Sequence, residues 1–317
     1  MKTIRFSVFA DLHYRDGDWN WASKRLEAIL RRASERKVDF LMHCGDFCHN
    51  VSTAGTILER YNSFPIQTWH TMGNHDFEQT EGLEPVLRAY RMGEKSYYYF
   101  DVNGFRMISV DTNFYHAPDG SIAHYADSDV WAKCHQSELL IPEEEIAFLD
   151  DALETAPGPC VVFSHGSLIR PKSVANSGEV LEILRRPRRK GGRLLLWING
   201  HHHRNNLVLR DDIAFFDLNS TTSTWINHTH HAYPAELMAK FAQSEHELLY
   251  TEPVHAIVTL TDRGEIRIEG MQGGLLLGVT PESTGEPKFD EVGLACDASV
   301  LSAHFRLYPR EESTAER

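Results

Sequence analysis

Five short clusters of residues that can bind metal ions occur along this chain. Their carboxylate oxygens, amide oxygen and imidazole nitrogens provide enough ligands for two divalent cations. Two adjacent cations can cleave a phosphate ester, because one generates a hydroxide while both neutralise charge on the phosphoryl oxygens. The clusters therefore predict hydrolytic chemistry. In chain order they are Asp11-Leu12-His13, Gly45-Asp46, Gly73-Asn74-His75-Asp76, Ser164-His165-Gly166 and Gly200-His201-His202-His203.

The spacing inside two clusters indicates which side chains share an ion. In an extended segment, side chains at positions i and i+2 point to the same side. Asp11 and His13 can therefore hold one ion together, and His201 pairs with His203 in the same way. His202, between them, is expected to face elsewhere.

Three other residues have distinct expected roles. Asp46 follows a glycine, and its two carboxylate oxygens allow it to bridge both ions. Asn74 offers a neutral carbonyl oxygen, which suits a hard cation. His75 does not share the direction of Asn74, so its imidazole can act as an acid or as an oxyanion stabiliser near the leaving group.

The clusters follow segments that have the composition of strands, and helical segments lie between the early strands. Open α/β sheets bind ligands beyond the carboxyl ends of their strands, which is where these clusters would lie. A hairpin is expected around Asn103-Gly104. The predicted strands are 4–10, 40–44, 66–72, 96–100, 105–110, 161–164, 194–199, 207–210, 213–218, 256–260 and 265–270, and the predicted helices lie near 26–33, 53–61 and 142–153.

Composition narrows the class of protein. The chain has 317 residues, of which 42% are hydrophobic, so it can bury a substantial core. Its net charge of −13 is spread over mixed segments, which disfavours broad affinity for nucleic acid or an anionic membrane. It contains no run of about 18 apolar residues that could form a spanning helix.

The cysteines and the amino terminus predict a cytoplasmic protein. Five cysteines form an odd count without CxxC spacing, as expected for reduced thiols. Cys44 and Cys48 flank Asp46, and buried thiols are the favoured interpretation over zinc ligands. The first apolar segment, 4–10, runs directly into Asp11, so its removal as a signal peptide would take away a strand that positions a ligand.

The full pattern resembles the calcineurin-like metallophosphoesterase superfamily. Asp-x-His, Gly-Asp, Gly-Asn-His-Asp, His and Gly-His-x-His span residues 11 to 203 with every ligand position filled. The resemblance implies an α/β fold, a four-layer α-β-β-α sandwich of two mixed sheets flanked by helices. It implies one ion held by Asp11, His13, Asp46 and His203, and a second held by Asp46, Asn74, His165 and His201. It also implies that His75 protonates the leaving alkoxide or contacts the phosphate, and that Asp76 orients His75.

The domain expected from this resemblance covers residues 1–280, with an insertion at about 112–140. Residues 281–317 are interpreted as a C-terminal extension, and the charged end at 309–317 is expected to be frayed.

The function that the resemblance implies is hydrolysis of a nucleotide or another small phosphodiester through a metal-bound hydroxide. The Gly-His-His-His ending resembles branches that include cyclic-nucleotide phosphodiesterases. Two features depart from those branches: Gly166-Ser167 follows His165 where His-Pro is common, and residues 47–50 lack the acidic residue that many relatives carry. Phosphomonoesterase, nuclease and catalytically silent scaffold are the alternatives.

Manganese or iron is the favoured metal, and zinc, nickel and cobalt suit the same ligands. The expected partner is a small phosphoester, with no membrane and with nucleic acid disfavoured, while the oligomeric state stays open.

Two residues are weaker candidates for substrate contacts. Arg15 could clamp a phosphate, although an ordinary surface arginine is an equal interpretation. His228 lies in a histidine-rich stretch, 225–231, that could cap the site, although a solvated loop is favoured. Other residues are assigned to structure, namely Tyr97, Tyr98, Tyr99, His43, His49, His70 and His116.

Overall fold

A computed structural model describes residues 1–18, 21–127, 138–186 and 192–307 of the chain. Its strands are β1 (Thr3–Phe9), β2 (Phe40–Cys44), β3 (Gln67–Thr71), β4 (Tyr98–Val102), β5 (Phe105–Ser109), β6 (Phe114–His116), β7 (Ile122–His124), β8 (Cys160–Phe163), β9 (Leu194–Asn199), β10 (Asn206–Arg210), β11 (Ile213–Asp217), β12 (Ser223–Trp225), β13 (Glu247–Leu249), β14 (Ala256–Thr261), β15 (Glu265–Glu269) and β16 (Ala303–Arg306). Its α-helices are α1 (Ala22–Glu35), α2 (Gly55–Asn62), α3 (Leu83–Ala89), α4 (Glu143–Glu154), α5 (Ser177–Leu184), α6 (Ala235–Lys240) and α7 (Pro281–Thr284).

Most strands belong to two mixed sheets. The first has the order β16-β15-β14-β1-β2-β3, and the second has the order β10-β11-β9-β8-β5-β4. Strands β1, β2 and β3 run parallel, as do β5, β8, β9 and β11. The carboxyl ends of the parallel strands in each sheet therefore lie along one edge, which is where the residues that follow them converge.

Alternation along the strands separates two cores. Phe6 and Val8 of β1 pack in the apolar cluster between the sheets, where the ring of Phe6 meets that of Phe163 at 5.7 Å. Phe9 and Trp197 lie in the other large cluster, together with the apolar residues of the helices. Because successive strand residues face opposite ways, both faces of each sheet are buried. The predicted four-layer sandwich is confirmed.

Most predicted elements are present with their ends shifted by one or two residues. In the predicted hairpin, Asn103 and Gly104 have φ angles of 53° and 81°, which a two-residue turn of the type I′ class requires. Four short helices without a clear periodic signal were not predicted, namely α3, α5, α6 and α7.

The region expected as an insertion and the expected C-terminal extension both contain ordered strands. Within 112–140, β6 and β7 pair as a small hairpin, and residues 128–137 lie outside the described part. In the C-terminal segment, β16 pairs with β15, so it completes the first sheet. The prediction of a frayed end at 309–317 falls outside the described residues.

One buried amide fastens the C-terminal segment to the loop that follows β11. The side-chain nitrogen of Asn219 donates to the carbonyls of Asp297 and Ser299, at 2.7 and 3.0 Å, and its oxygen accepts from the hydroxyl of Tyr250 at 2.9 Å. These bonds hold the loop and the segment together.

We expect Asn219→Ala to lower the free energy of unfolding by about 2 kcal/mol, because it leaves buried polar partners unsatisfied. Urea denaturation followed by circular dichroism measures the change. Gln272→Ala, an exposed amide at the neighbouring bridge to Ser299, is the matched control and should change stability by less than about 0.5 kcal/mol. Equal effects of the two substitutions would contradict the proposed fastening.

Candidate dinuclear metal centre

Six of the seven predicted ligands lie close together beyond the strand ends. On one side, His13 Nε2 lies 3.0 Å from His203 Nε2. Asp11 Oδ1 lies 3.4 Å from His203 Nε2, and Asp46 Oδ2 lies 3.8 Å from His13 Nε2. Ligand atoms of Asp11, His13 and His203 all fall within 4.8 Å of one another, close enough to bind one ion.

The second group of ligands adjoins the first through Asp46. Its Oδ2 atom lies 3.1 Å from His165 Nε2, and His165 Nε2 lies 3.2 Å from His201 Nδ1. Asn74 is buried, and its Oδ1 atom has no hydrogen-bond partner among the described residues. A buried carbonyl oxygen without a donor is costly, so this atom fits a cation.

Backbone carbonyls fix the tautomers of two histidines. His165 Nδ1 lies 2.9 Å from the carbonyl oxygen of Cys44, and His203 Nδ1 lies 2.8 Å from that of Ser223. A carbonyl only accepts, so each Nδ1 carries the proton and donates it. Nε2 is then the nitrogen of each ring that can bind a metal, the arrangement that metal-binding histidines use.

The chain reaches these positions through left-handed backbone rather than through extended segments. Five of the seven ligands have positive φ angles, from 50° to 76°. The expectation that Asp11-Leu12-His13 is extended is therefore wrong, although both side chains do face the site. Such conformations cost about 1 to 3 kcal/mol each and persist where surrounding structure holds them. The residues concerned are Asp11, His13, Asp46, His201 and His203.

Hydroxyl groups of the loop after β11 hold one of these segments. Ser220 Oγ donates to the carbonyl of Asp11 at 2.9 Å, and Thr221 Oγ1 donates to that of Ala10 at 2.8 Å. The backbone N–H of Asp11 donates to Gly45 at 3.0 Å. Both carbonyls around Asp11 thus have partners despite the irregular backbone.

Two glycines permit the close approach of the ligands. A Cβ atom at Gly73 would lie 2.2 Å from Asp46 Oδ1, and one at Gly45 would lie 2.3 Å from His165 Nδ1. Gly45 also has a φ angle of 90°. The glycines of two predicted motifs are therefore needed for space at the ligands.

Burial and charge keep most ligands in the form that binds metal. Burial lowers the pKa of His13 well below its usual value and that of His201 to about 3, so both rings are neutral at pH 7. Burial alone would raise the pKa of Asp46, but His165 and its neighbours bring it well below the usual range. Burial opposes a charge on His165, yet Asp46 raises its pKa to about 9. A bound cation would take the place of that proton.

Asp76 does not occupy the predicted place beside the ring of His75. Its carboxylate accepts from the backbone N–H groups of Gly73 at 2.8 Å and Phe47 at 2.9 Å, and from the hydroxyl of Tyr90. It also accepts from the N–H groups of Asp46 and Cys48, at 3.2 Å each. Asp76 therefore joins two ligand-bearing loops, and the expected contact with His75 is corrected.

The ring of His75 is held by Glu78 instead. His75 Nδ1 lies 2.9 Å from Glu78 Oε2, and the backbone N–H of His75 donates to Asp46 Oδ1 at 2.8 Å. The His75 ring stacks on Trp225, with 6.2 Å between the ring centroids. His75 is thus fixed beside Asp46, which lies between the two groups of ligands.

The two weaker candidates differ in where the structure places them. Arg15 lies beside the site, where its Nε donates to His49 Nε2 at 3.1 Å and its guanidinium lies 5.9 Å from the ring of Trp225. His228 faces the C-terminal segment, with its Nε2 on the carbonyl of Thr284 and its Nδ1 3.2 Å from Glu286. The structure does not join His228 to the histidine cluster, which corrects that prediction.

Three residues at the site were missed by sequence reasoning. His49 was assigned to structure, yet its Nε2 lies 2.9 Å from His13 Nδ1. Glu78 follows His75 by three residues on one 3₁₀ turn, a spacing that places both on the same side. Trp225 lies in a stretch interpreted as a solvated loop, and it belongs to β12. Of these three residues, only Glu78 could have been predicted from the sequence, because it follows His75 by three residues.

A family model described as calcineurin-like phosphoesterase matches residues 4–205, which is more than half of the chain. The chain therefore belongs to the calcineurin-like phosphoesterase family, a family of dimetal hydrolases. No curated protein sequence matches it significantly. The resemblance predicted from the motifs is confirmed.

Solved structures with the same fold include proteins of different kinds. A dimetal phosphatase from Danio rerio is 14% identical with a TM-score of 0.60, and the match covers 85% of this chain and 96% of that one. GAP50, the anchor in the inner membrane complex of Plasmodium, is 12% identical with a TM-score of 0.53, covering 85% and 84%. At these identities the likeness shows the fold alone.

None of the described helices combines the length and the apolar character that crossing a lipid bilayer requires.

We expect Gly73→Ala to reduce the metal content of the purified protein by at least half, because the added Cβ would displace Asp46 from its position between the two groups. Elemental analysis after dialysis against manganese measures the content, and circular dichroism checks the fold. Gly55→Ala is the control, since a Cβ there meets nothing within 4 Å. A Gly73→Ala protein that retains the metal content of the wild type would contradict the ligand assignment.

Proposed function

We propose that this protein is a dinuclear-metal-dependent phosphodiesterase that acts on a nucleotide or another small phosphodiester. The proposal rests on one buried cluster of candidate ligands: Asp11, His13 and His165 lie around Asp46, His201 and His203 adjoin them, and His75 is fixed beside the cluster. Asp11, His13, Asp46 and His203 would hold one ion, and Asp46, Asn74, His165 and His201 the other.

Two divalent ions, when bound, supply a water of lowered pKa and neutralise charge on the phosphoryl oxygens. Manganese or iron fits the mixture of carboxylate, carbonyl and imidazole ligands. The protein's own contribution is to hold these ligands in place and to position a proton donor for the leaving group.

His75 is the proposed proton donor. Its Nδ1 faces Glu78, so Nε2 lies on the opposite side of the ring. When the bond between phosphorus and the leaving oxygen breaks, that oxygen gains an electron pair and takes the Nε2 proton of a His75 ring that carries a proton on each nitrogen, so the ring is left neutral with its Nδ1 proton hydrogen-bonded to Glu78. An alkoxide leaving group needs such a proton more than a phenolate does.

The charges around the centre favour a diester over a monoester. A monoester brings a second negative charge, for which arginine forks are suitable partners. Arg15 Nε donates to His49 Nε2 at 3.1 Å, and Arg204 donates to the carbonyl of His203 at 2.9 Å. Both guanidinium groups therefore already bond to the protein. A diester carries one negative charge, so it needs fewer cationic side chains than a monoester does.

Trp225, next to His75, offers a ring face against which a nucleotide base could stack.

The discriminating experiment compares two model substrates after chelation and restoration with manganese. We expect faster hydrolysis of bis-p-nitrophenyl phosphate than of p-nitrophenyl phosphate, and no turnover by the chelated protein. Preference for the monoester would establish a phosphatase instead. No turnover of either, with metal bound, would favour a scaffold or a narrow natural substrate.

Asp46→Asn should reduce kcat on the preferred substrate by at least about 1000-fold, because one amide cannot replace a bridging carboxylate between two cations. Initial rates at saturating manganese test this. Asp212→Asn removes the same charge from an exposed turn and should leave kcat unchanged. An Asp46→Asn protein within tenfold of the wild type would exclude the bridging role.

A further inference from the structure

We propose that Glu78 is the positioning residue of this centre: it orients His75 directly, and through His49 it orients the metal ligand His13. The proposal rests on the proposed function, because it assigns residues to the proton donor and the metal site of that reaction. It places in Glu78 the orienting role that the sequence pattern had suggested for Asp76.

One carboxylate oxygen serves two histidines. Glu78 Oε2 lies 2.9 Å from His75 Nδ1 and forms a short contact with His49 Nδ1. The side chain of His49 is only 3% exposed, whereas those of His75 and Glu78 are 20% and 23% exposed. Glu78 thus lies at the rim of the centre, with the buried ring of His49 behind it.

Arg15 settles the direction of the hydrogen bonds around His49. A guanidinium only donates, so His49 Nε2, which lies 3.1 Å from Arg15 Nε, must be an acceptor. The proton of the neutral His49 ring is then on Nδ1, which donates it to Glu78.

The same reasoning gives the direction of the hydrogen bond between His49 and the candidate metal ligand His13. His49 Nε2 also lies 2.9 Å from His13 Nδ1, so His13 Nδ1 is the donor in that bond, and the single lone pair of His49 Nε2 is shared between His13 and Arg15. His13 Nε2 is then without a proton, and this is the atom 3.0 Å from His203 Nε2. The series from Glu78 through His49 to His13 therefore points a lone pair into the metal site. Residues that fix a ligand in this way affect metal affinity by about 10-fold to 100-fold.

The acid next to His75 in the sequence, Asp76, is bonded to other groups. The carboxylate of Asp76 is taken by backbone N–H groups and the Tyr90 hydroxyl. Arg15, His49 and Glu78 line a cavity of about 280 Å³, so the Glu78 side chain borders open space. An isosteric substitution at Glu78 should therefore be tolerated by the fold.

The first test uses two diesters that share the transferred group, methyl p-nitrophenyl phosphate and methyl phenyl phosphate. Phenolate is the poorer leaving group and depends more on a proton from His75. At saturating manganese, Glu78→Gln should raise the ratio of kcat for the nitrophenyl ester to kcat for the phenyl ester by about 10-fold or more. Glu81→Gln, an exposed glutamate three residues further on, should leave the ratio unchanged.

The second test follows manganese binding by calorimetry and requires no turnover. His49→Leu removes both the acceptor for His13 and the donor to Glu78, and should weaken binding by about 10-fold to 100-fold. His49→Gln keeps an acceptor and a donor, and should restore most of the affinity. Glu78→Gln should weaken binding as well, while Glu81→Gln should not.

The outcomes separate this proposal from the proposed function. A wild-type protein that hydrolyses p-nitrophenyl phosphate but neither diester would overturn the phosphodiesterase assignment, while the binding series would still test the link to His13. A Glu78→Gln protein that lowers both rates equally, or changes neither, would overturn the orientation of His75. Equal affinities in His49→Leu and His49→Gln proteins would overturn the link through His49. If Glu78→Gln fails to fold, the His49 pair decides that link.

Discussion

The convergence of lone pairs on one buried point is the constraint on which this structure depends. Asp46 Oδ2 lies 3.1 Å from His165 Nε2 and 3.8 Å from His13 Nε2, and the Nδ1 atoms of His165 and His13 donate to protein acceptors. Atoms that only accept repel one another unless a cation or a proton lies between them. Bound cations would therefore stabilise this arrangement.

This constraint explains the irregular backbone around the site. Parallel strands bring the chain to one edge of each sheet, but a strand alone would point alternate side chains away from a common centre. Left-handed residues turn Asp11, His13 and Asp46 inward at a cost in backbone energy. Asp76, through four backbone N–H groups, and the hydroxyls of Ser220 and Thr221 offset that cost locally. The strain is therefore confined to the loops, while the sheets stay regular.

The sequence predicted what depends on composition and short spacing, and missed what depends on three-dimensional packing. Alternating apolar residues located the main strands, and the motifs at their ends located the ligands. The left-handed conformation of His13 was not predicted, because histidine is enriched at positive φ but most histidines still have negative φ. The roles of Asp76 and His228 were misjudged because each finds its partners far along the chain, at Tyr90 and at Thr284. Only folding brings those partners into contact.

The same sandwich occurs in a dimetal phosphatase and in an anchor protein, so the fold does not decide between catalysis and scaffolding. Two features of the site favour catalysis, because a scaffold would not need them. A scaffold gains nothing from a buried Asn74 oxygen without a donor, which costs stability unless a cation binds it. Nor does it gain from a histidine fixed beside the centre by its own carboxylate, since His75 touches Glu78 at the rim rather than in the core. The Asn74 oxygen lowers the stability of the fold unless a cation is bound, and the contact between His75 and Glu78 adds nothing to the core. Both features assist hydrolysis, so they favour hydrolysis as the function.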